Sequence, residues 1–181
     1  NNYVVLILDK EDKITDYSND EVSVYSFDNE RVMLDRFLDF YQEISPTILT
    51  GWNIDGFDVP YLYRRLARVL GQEESNRLSP IGHAYYHPFK KRIVIAGVSC
   101  LDYLALYKNF TFSVEPSYRL DAIGRKEVGL GKIEYEGNLD DLFAKDIEKF
   151  IEYNLNDVKI VVEIDKKMEL IELTRSICHV G

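Results

Sequence analysis

The order of apolar segments limits the fold of this chain more than any other feature of its sequence. Residues 21–27 largely alternate polar and apolar side chains, as a strand does, and an amphipathic helix is predicted after Asp28, ending at 45–46. The apolar run from Thr47 to Trp52 predicts another strand, and a second helix is expected from about Pro60 to Gly71. The order strand, helix, strand, helix predicts a layered α/β fold.

The remaining segments predict smaller elements around this pattern. The β-branched run from Tyr3 to Leu8 predicts a first strand, paired antiparallel with the strand at 21–27 across a polar turn. A long surface loop is expected over 72–89, where breakers interrupt the periodicity. The other predictions are a strand over 93–98 and helices over 102–107, 117–128 and 145–177.

The composition predicts a single globular domain over residues 1–181, because 46% of the residues are hydrophobic and 13% are aromatic. A formal net charge of -9 argues against general duplex binding, which uses clustered Lys and Arg. It leaves room for a nuclease, because a site for divalent cations needs uncompensated carboxylates. Two distant cysteines, Cys100 and Cys178, indicate reduced thiols of a cytosolic type, and no long apolar run or signal-like start supports membrane insertion or secretion.

Two acidic positions are candidates for metal binding. Asp58 stands directly before the helix expected at Pro60, where a helix cap is the commoner role for an aspartate. Tyr153 and Asp157 are four residues apart in a predicted helix, which places a phenol and a carboxylate on one face. Carboxylates on separate elements commonly hold two cations, about 3.5 to 4 Å apart, that activate water and stabilise the leaving alkoxide in nucleases.

Three other motifs carry weaker signals. The stretch 129–132 suggests a phosphate-binding loop, but the spacing is wrong and Ile133 stands where a hydroxyl should be. The basic triplet 90–92 is either a solvated face, which is the favoured interpretation, or a nucleic-acid contact. His83 and His87 are expected in a loop, since the following proline argues against a helix that presents both rings to a zinc ion.

The two candidate regions resemble known motifs when they are taken together. Residues 53–58 match N-x-x-x-F-D and residues 153–157 match Y-x-x-x-D, the second and third exonuclease motifs of family B DNA polymerases. The resemblance is closest to polymerases of T-even-like bacteriophages. It extends over most of the chain, through residues 27–31, 50–61, 79–82, 101–103 and 116–118.

This resemblance implies a ribonuclease H-like α/β domain of the DEDDy type, with a mixed sheet flanked by helices, that removes mispaired nucleotides from a primer 3′ end. It implies two divalent metal ions, Mg²⁺ or Mn²⁺, and two partners, a single-stranded DNA 3′ end and the remaining polymerase domains. The matching positions imply that Asp58 and Asp157 bind the metals and that Tyr153 positions the attacking water. Asn53 and Phe57 are implied to touch the DNA end.

The chain departs from the family in two places. The first motif, D-x-E in a first strand, is expected upstream of Tyr3, because residues 9–11 have this spelling but open a polar turn. The chain, which begins without a methionine, is therefore expected to be a fragment that lacks its first strand and first motif and has weak or no activity alone. The segment 83–98 resembles a hairpin that helps to move the primer strand, but it is shorter here. Two alternatives stay open, a stand-alone ribonuclease H-like exonuclease and a non-catalytic DNA-binding scaffold.

Overall fold

A computed structural model describes residues 3–135 and 137–180 of the chain. Its strands, in chain order, are β1 (Tyr3–Leu8), β2 (Tyr17–Ser18), β3 (Val22–Phe27), β4 (Ile48–Gly51), β5 (Ala84–His87), β6 (Arg92–Ile95) and β7 (Ser99–Asp102). Its helices are α1 (Glu30–Ile44), α2 (Asp58–Val69), α3 (Gln72–Ser75), α4 (Tyr103–Phe110), α5 (Leu120–Val128), α6 (Leu139–Lys145), α7 (Ile147–Met168) and α8 (Leu170–Val180). None of the helices in these residues is long and apolar enough to cross a membrane. The residues form two compact units, one from 3–49 and 54–100 and the other from 50–53 and 101–180.

The first unit contains a small mixed sheet with the strand order β1-β3-β2. β1 runs parallel to β3, in a register that pairs Tyr3 with Val22 and Leu8 with Phe27, and β2 is antiparallel to β3. The predicted antiparallel pairing of the first and third strands is therefore wrong. The connection between them has room for a crossover of about a dozen residues, which a parallel pair requires, and β2 takes the antiparallel position on the other edge of β3.

The core of the first unit forms where α1 and α2 bury one face each. Leu38 of α1 and Leu66 of α2 are fully buried, and Ile93 and Ile95 bring the inner face of β6 to the same cluster. β5 and β6 form an antiparallel hairpin that pairs Ala84 with Ile95. The expected long loop over 72–89 is wrong, since α3, a 3-10 turn at Asn76–Leu78 and β5 occupy most of it. Sequence periodicity missed these short elements because each is too short to show a repeated pattern.

The second unit is mainly helical. Tyr103 and Tyr107 of α4 are fully buried against Ile160 and Ile164 of α7 and their neighbours. The long helix predicted over 145–177 is divided into α7 and α8, because Glu169 adopts a left-handed conformation with φ 54° and ends α7. The strands and helices together confirm the α/β class with a mixed sheet.

Candidate active site

The clearest chemical cluster of the second unit lies on α7. Tyr153 and Asp157 are one turn apart on one face of this helix, as their spacing predicts, and the ammonium of Lys132 reaches both. Lys132 Nζ donates to Tyr153 Oη at 2.9 Å and lies 3.0 Å from Asp157 Oδ2. It also lies 5.1 Å from the centroid of the Tyr153 ring. Sequence reasoning missed Lys132, because the glycines before it drew attention only to a phosphate loop.

Lys132 lies in the segment between α5 and α6, and hydrogen bonds to α5 and α7 hold this segment in place. Its backbone N–H donates to Asp121 Oδ1 of α5 at 2.7 Å, and Asn156 Nδ2 of α7 donates to the carbonyl of Gly131 at 3.0 Å. Gly124 allows α5 to pack closely on α7, since a Cβ at this position would lie 2.6 Å from Ile160 Cγ2. The backbone at residues 131 and 132 is therefore anchored to both α5 and α7, and this fixes where the Lys132 side chain starts.

The cluster already holds one cation, the ammonium of Lys132. Burial alone lowers the pKa of Lys132, but its hydrogen bonds to Tyr153 and Asp157 outweigh burial and raise that pKa above its ordinary value. Asp157 Oδ1 is buried and has no hydrogen-bond partner among the residues that the structure describes. Carboxylate oxygens are preferred ligands of Mg²⁺ and Mn²⁺, so Asp157 fits a divalent cation that binds at this oxygen.

In the first unit, Asp58 is the first residue of α2 and does not cap the helix as predicted. Phe57 occupies the N-cap position and makes no side-chain capping bond. The helix begins two residues before Pro60 because a proline within the first turn lacks only an N–H that has no partner within the helix. Asp58 is exposed at the positive end of the helix dipole, where a carboxylate is favoured. Phe57 is 67% exposed and stacks in parallel on Tyr61 at 6.3 Å.

Asn53 belongs to the second unit, within an ordered turn. It is exposed and has φ 63°, in the left-handed region that asparagine tolerates. Its N–H donates to Asp102 Oδ1 at 3.1 Å, and the same oxygen caps α4 by accepting from Leu104 N. The neighbouring Trp52 Nε1 donates to the carbonyl of Tyr118 at 3.1 Å. The structure therefore brings Tyr153 and Asp157 together, while Phe57 and Asp58 are adjacent in the first unit.

The D-x-E spelling at residues 9–11 forms a turn. Asp9 is buried and accepts backbone hydrogen bonds from Glu11, Lys13 and Ile14. Burial raises the pKa of Asp9, but these bonds lower it below its ordinary value overall. This geometry agrees with the prediction that these residues shape a turn. Within residues 3–135 and 137–180, no three His, Cys, Asp or Glu side chains are grouped closely enough to hold a metal ion.

Comparisons with known proteins give the lineage. The family model for the exonuclease domain of family B DNA polymerases matches residues 2–123, a range that includes Asn53, Phe57 and Asp58. The DNA-directed DNA polymerase of Escherichia phage RB69 is 39% identical over 163 residues, which cover 86% of this chain and 18% of the relative. The DNA-directed DNA polymerase of Enterobacteria phage T4 is 39% identical over 166 residues, which cover 88% of this chain and 18% of the relative.

A more distant relative is matched over a similar share of its length and of this chain. DNA polymerase 1 of Sulfolobus acidocaldarius is 32% identical over 172 residues, which cover 89% of this chain and 18% of the relative. The chain therefore spans about 18% of the length of these polymerases. The matched family and the mixed α/β architecture agree with an exonuclease domain of the ribonuclease H-like type. The chain belongs to the exonuclease-domain family of the family B DNA polymerases.

Proposed function

We propose that residues 1–181 act as one 3′–5′ exonuclease domain that proofreads for a DNA-directed DNA polymerase and hydrolyses the 3′-terminal phosphodiester of a primer. The observation that carries this proposal is the cluster on α7. There, Asp157 presents a buried oxygen with no partner among the described residues, beside Tyr153 and Lys132. The proposed partners are a single-stranded DNA 3′ end and further polymerase domains. The phage relatives suggest that the protein works in the cytoplasm of an infected bacterial cell.

The exonuclease domains of this family are metal-dependent nucleases. In this chain Asp157 and Asp58 would each hold a divalent cation, Mg²⁺ or Mn²⁺, the second directly or through water. When bound, the metals would supply a nucleophilic water and stabilise the leaving alkoxide. Asn53 and Phe57 would contact the DNA end, and the stacked rings of Phe57 and Tyr61 offer an exposed surface for a base.

Tyr153 is proposed to orient the attacking water. Its Oη accepts a hydrogen bond from Lys132, so the phenolic hydrogen can be donated to a water molecule. Only 8% of Tyr153 is exposed, which restricts the ring to one orientation. A two-metal site normally also needs a bridging carboxylate, and none of the residues proposed here takes that role, so we expect weak or no activity from this chain alone.

Two measurements test the proposal. Titration calorimetry with Mn²⁺ should show binding that Asp157→Asn and Asp58→Asn each weaken, because a ligand oxygen with full charge is removed. Glu152→Gln is the matched control, since Glu152 is an exposed acid on the same helix as Asp157. Slow, chelator-sensitive trimming of a 5′-labelled single-stranded DNA should be abolished in the same two aspartate variants and retained in Glu152→Gln.

The outcomes separate the alternatives. Absence of Mn²⁺ binding would favour a non-catalytic scaffold. Trimming that survives Asp157→Asn would contradict the assignment of the site. Robust trimming that is abolished in Asp58→Ala would keep the site and contradict only the expected low activity.

A further inference from the structure

Residues 50–53, a short stretch of the second unit, are fastened to the helices that follow them in that unit. Trp52 Nε1 donates to the carbonyl of Tyr118 at 3.1 Å. The Trp52 ring stacks on the fully buried ring of Tyr103 in α4, with the two centroids 6.3 Å apart. These contacts hold the stretch as far as Trp52, and Asn53 stands exposed at its end.

One carboxylate oxygen joins Asn53 to the beginning of α4. Asp102 Oδ1 accepts from the backbone N–H of Asn53 at 3.1 Å, although the two residues are 49 positions apart in the chain. The same oxygen caps α4, because it also accepts from Leu104 N at 3.0 Å and from Ala105 N at 3.4 Å. Asp102 therefore fixes the backbone of Asn53 relative to the first turn of a helix whose inner face is buried.

The conformation of Asn53 explains why such a bond matters. Its φ of 63° lies in the left-handed region, where a residue other than glycine is higher in energy than in the extended or right-handed regions. An exposed residue in this region keeps its conformation only where neighbouring contacts hold it. The bond to Asp102 is such a contact, and a side chain that is held in place before its ligand arrives loses less conformational freedom on binding.

We propose that Asp102 is a positioning residue, which holds Asn53 in the orientation that receives the 3′ end of single-stranded DNA. This inference rests on the contact between Asn53 and the DNA end in the proposed function. The amide of Asn53 can both donate and accept hydrogen bonds, as contacts with the sugar and phosphate of a terminal nucleotide require. Asp102 acts through Asn53 and does not itself touch the DNA.

The test is a double-mutant cycle on the affinity for a 5′-fluorescein-labelled oligothymidylate, followed by anisotropy with EDTA present so that no hydrolysis occurs. Asn53→Gly removes the side chain and keeps the backbone, since glycine adopts a positive φ freely. This variant and Asp102→Ala should each weaken binding by about five-fold, as expected for the loss of one hydrogen bond. The double variant should also bind about five-fold more weakly, whereas two independent effects would multiply to about 25-fold.

Two further variants separate positioning from helix stability. Asp102→Asn should restore the affinity to within about two-fold of the unchanged protein, because its amide oxygen can accept the same bonds and asparagine is a preferred N-cap. Asn138→Ala is the matched control, since Asn138 caps α6 of the same unit by accepting from Asp141 N at 2.8 Å. It should lower the midpoint of thermal unfolding, as Asp102→Ala does, and leave the DNA affinity within about two-fold.

Three results would overturn the inference. These are unchanged affinity in Asp102→Ala, a decrease of about 25-fold in the double variant, and affinity in Asp102→Asn as low as in Asp102→Ala. Unchanged affinity in Asn53→Gly would instead refute the contact that the proposed function assigns to Asn53, and the inference with it. Mn²⁺ binding at Asp157 and metal-dependent trimming are measured separately, so the proposed hydrolysis stands or falls on its own data.

Discussion

Removing the hydroxyl from either of two tyrosines, Tyr103 and Tyr41, should affect stability differently. Tyr103 of α4 is fully buried, and its Oη donates to Asp165 Oδ1 of α7 at 2.9 Å. Burial, the hydrogen bond and the charge of Asp165 all raise the pKa of Tyr103, so the phenol keeps its proton. Asp165 Oδ1 also accepts from Ile171 N at 3.3 Å, at the start of α8. Tyr103→Phe therefore weakens the contact that fastens α7 to its neighbours.

Tyr41 of α1 is the comparison. Its Oη is buried without a hydrogen-bond partner in the described part of the chain, and burial raises the pKa of Tyr41 to about 12. Tyr41→Phe removes a hydroxyl that makes no hydrogen bond with the described residues, so the free energy of unfolding should stay within about 0.5 kcal/mol or rise.

The magnitude for Tyr103→Phe follows from the charge of its acceptor. A hydrogen bond to a charged group contributes about 1.5–3 kcal/mol, and Asp165 is only partly buried, so water can replace part of the missing bond. We expect a decrease of about 2 kcal/mol in the free energy of unfolding, which lowers the midpoint of thermal unfolding by roughly 4–8 °C in a chain of this size. Urea unfolding followed by circular dichroism, with calorimetry for the midpoint, measures both variants. Equal stability of Tyr103→Phe and the unchanged protein, or a decrease above about 1 kcal/mol in Tyr41→Phe, would refute this reasoning.

Three further changes test other contacts. Arg65 donates to both oxygens of Glu30 and lowers the pKa of that carboxyl. The stability that this ion pair adds to the folded state is therefore fully present above the ordinary pKa of 4.5 and is lost as the pH falls through the lowered pKa. In Glu30→Gln, the urea concentration at half-unfolding should fall less as the pH is lowered below 4.5 than it does in the unchanged protein. The same fall in both proteins would contradict this expectation. Gly124→Ala should destabilise the second unit by about 1–3 kcal/mol in urea unfolding, because the new methyl group would lie 2.5 Å from a backbone carbonyl oxygen. Lys132→Met should tighten Mn²⁺ binding by about five-fold in calorimetry, because Asp157 is released from a partly exposed ion pair worth about 1 kcal/mol. Weaker binding in this variant would show that Lys132 supports metal binding and does not compete with it.

The parts of the fold that the sequence predicted are those with long local patterns. α1 and α2 have apolar residues at helical spacing over three turns or more, and β4 lies between them in the chain as an apolar run. The parallel pairing of β1 with β3 could not be predicted in this way, because the direction of a strand depends on the path of the chain that joins the two strands and not on the alternation within either one. β5 was missed for a related reason, since only Ala84 of its four residues is buried.

The candidate site shows the same division between what is local and what is distant. Asp58, Tyr153 and Asp157 could be proposed from the sequence because each belongs to a short motif within one stretch of the chain. Lys132 reaches Asp157 only through the packing of α5 on α7, so no spacing rule connects them. Its ammonium lies on Oδ2 and leaves Oδ1 as the buried oxygen without a partner among the described residues. A divalent cation that binds Oδ1 would therefore share the carboxylate with Lys132, and like charges at such close range oppose each other. We therefore expect Lys132, a residue that the motifs do not contain, to lower the affinity of the proposed site for metal.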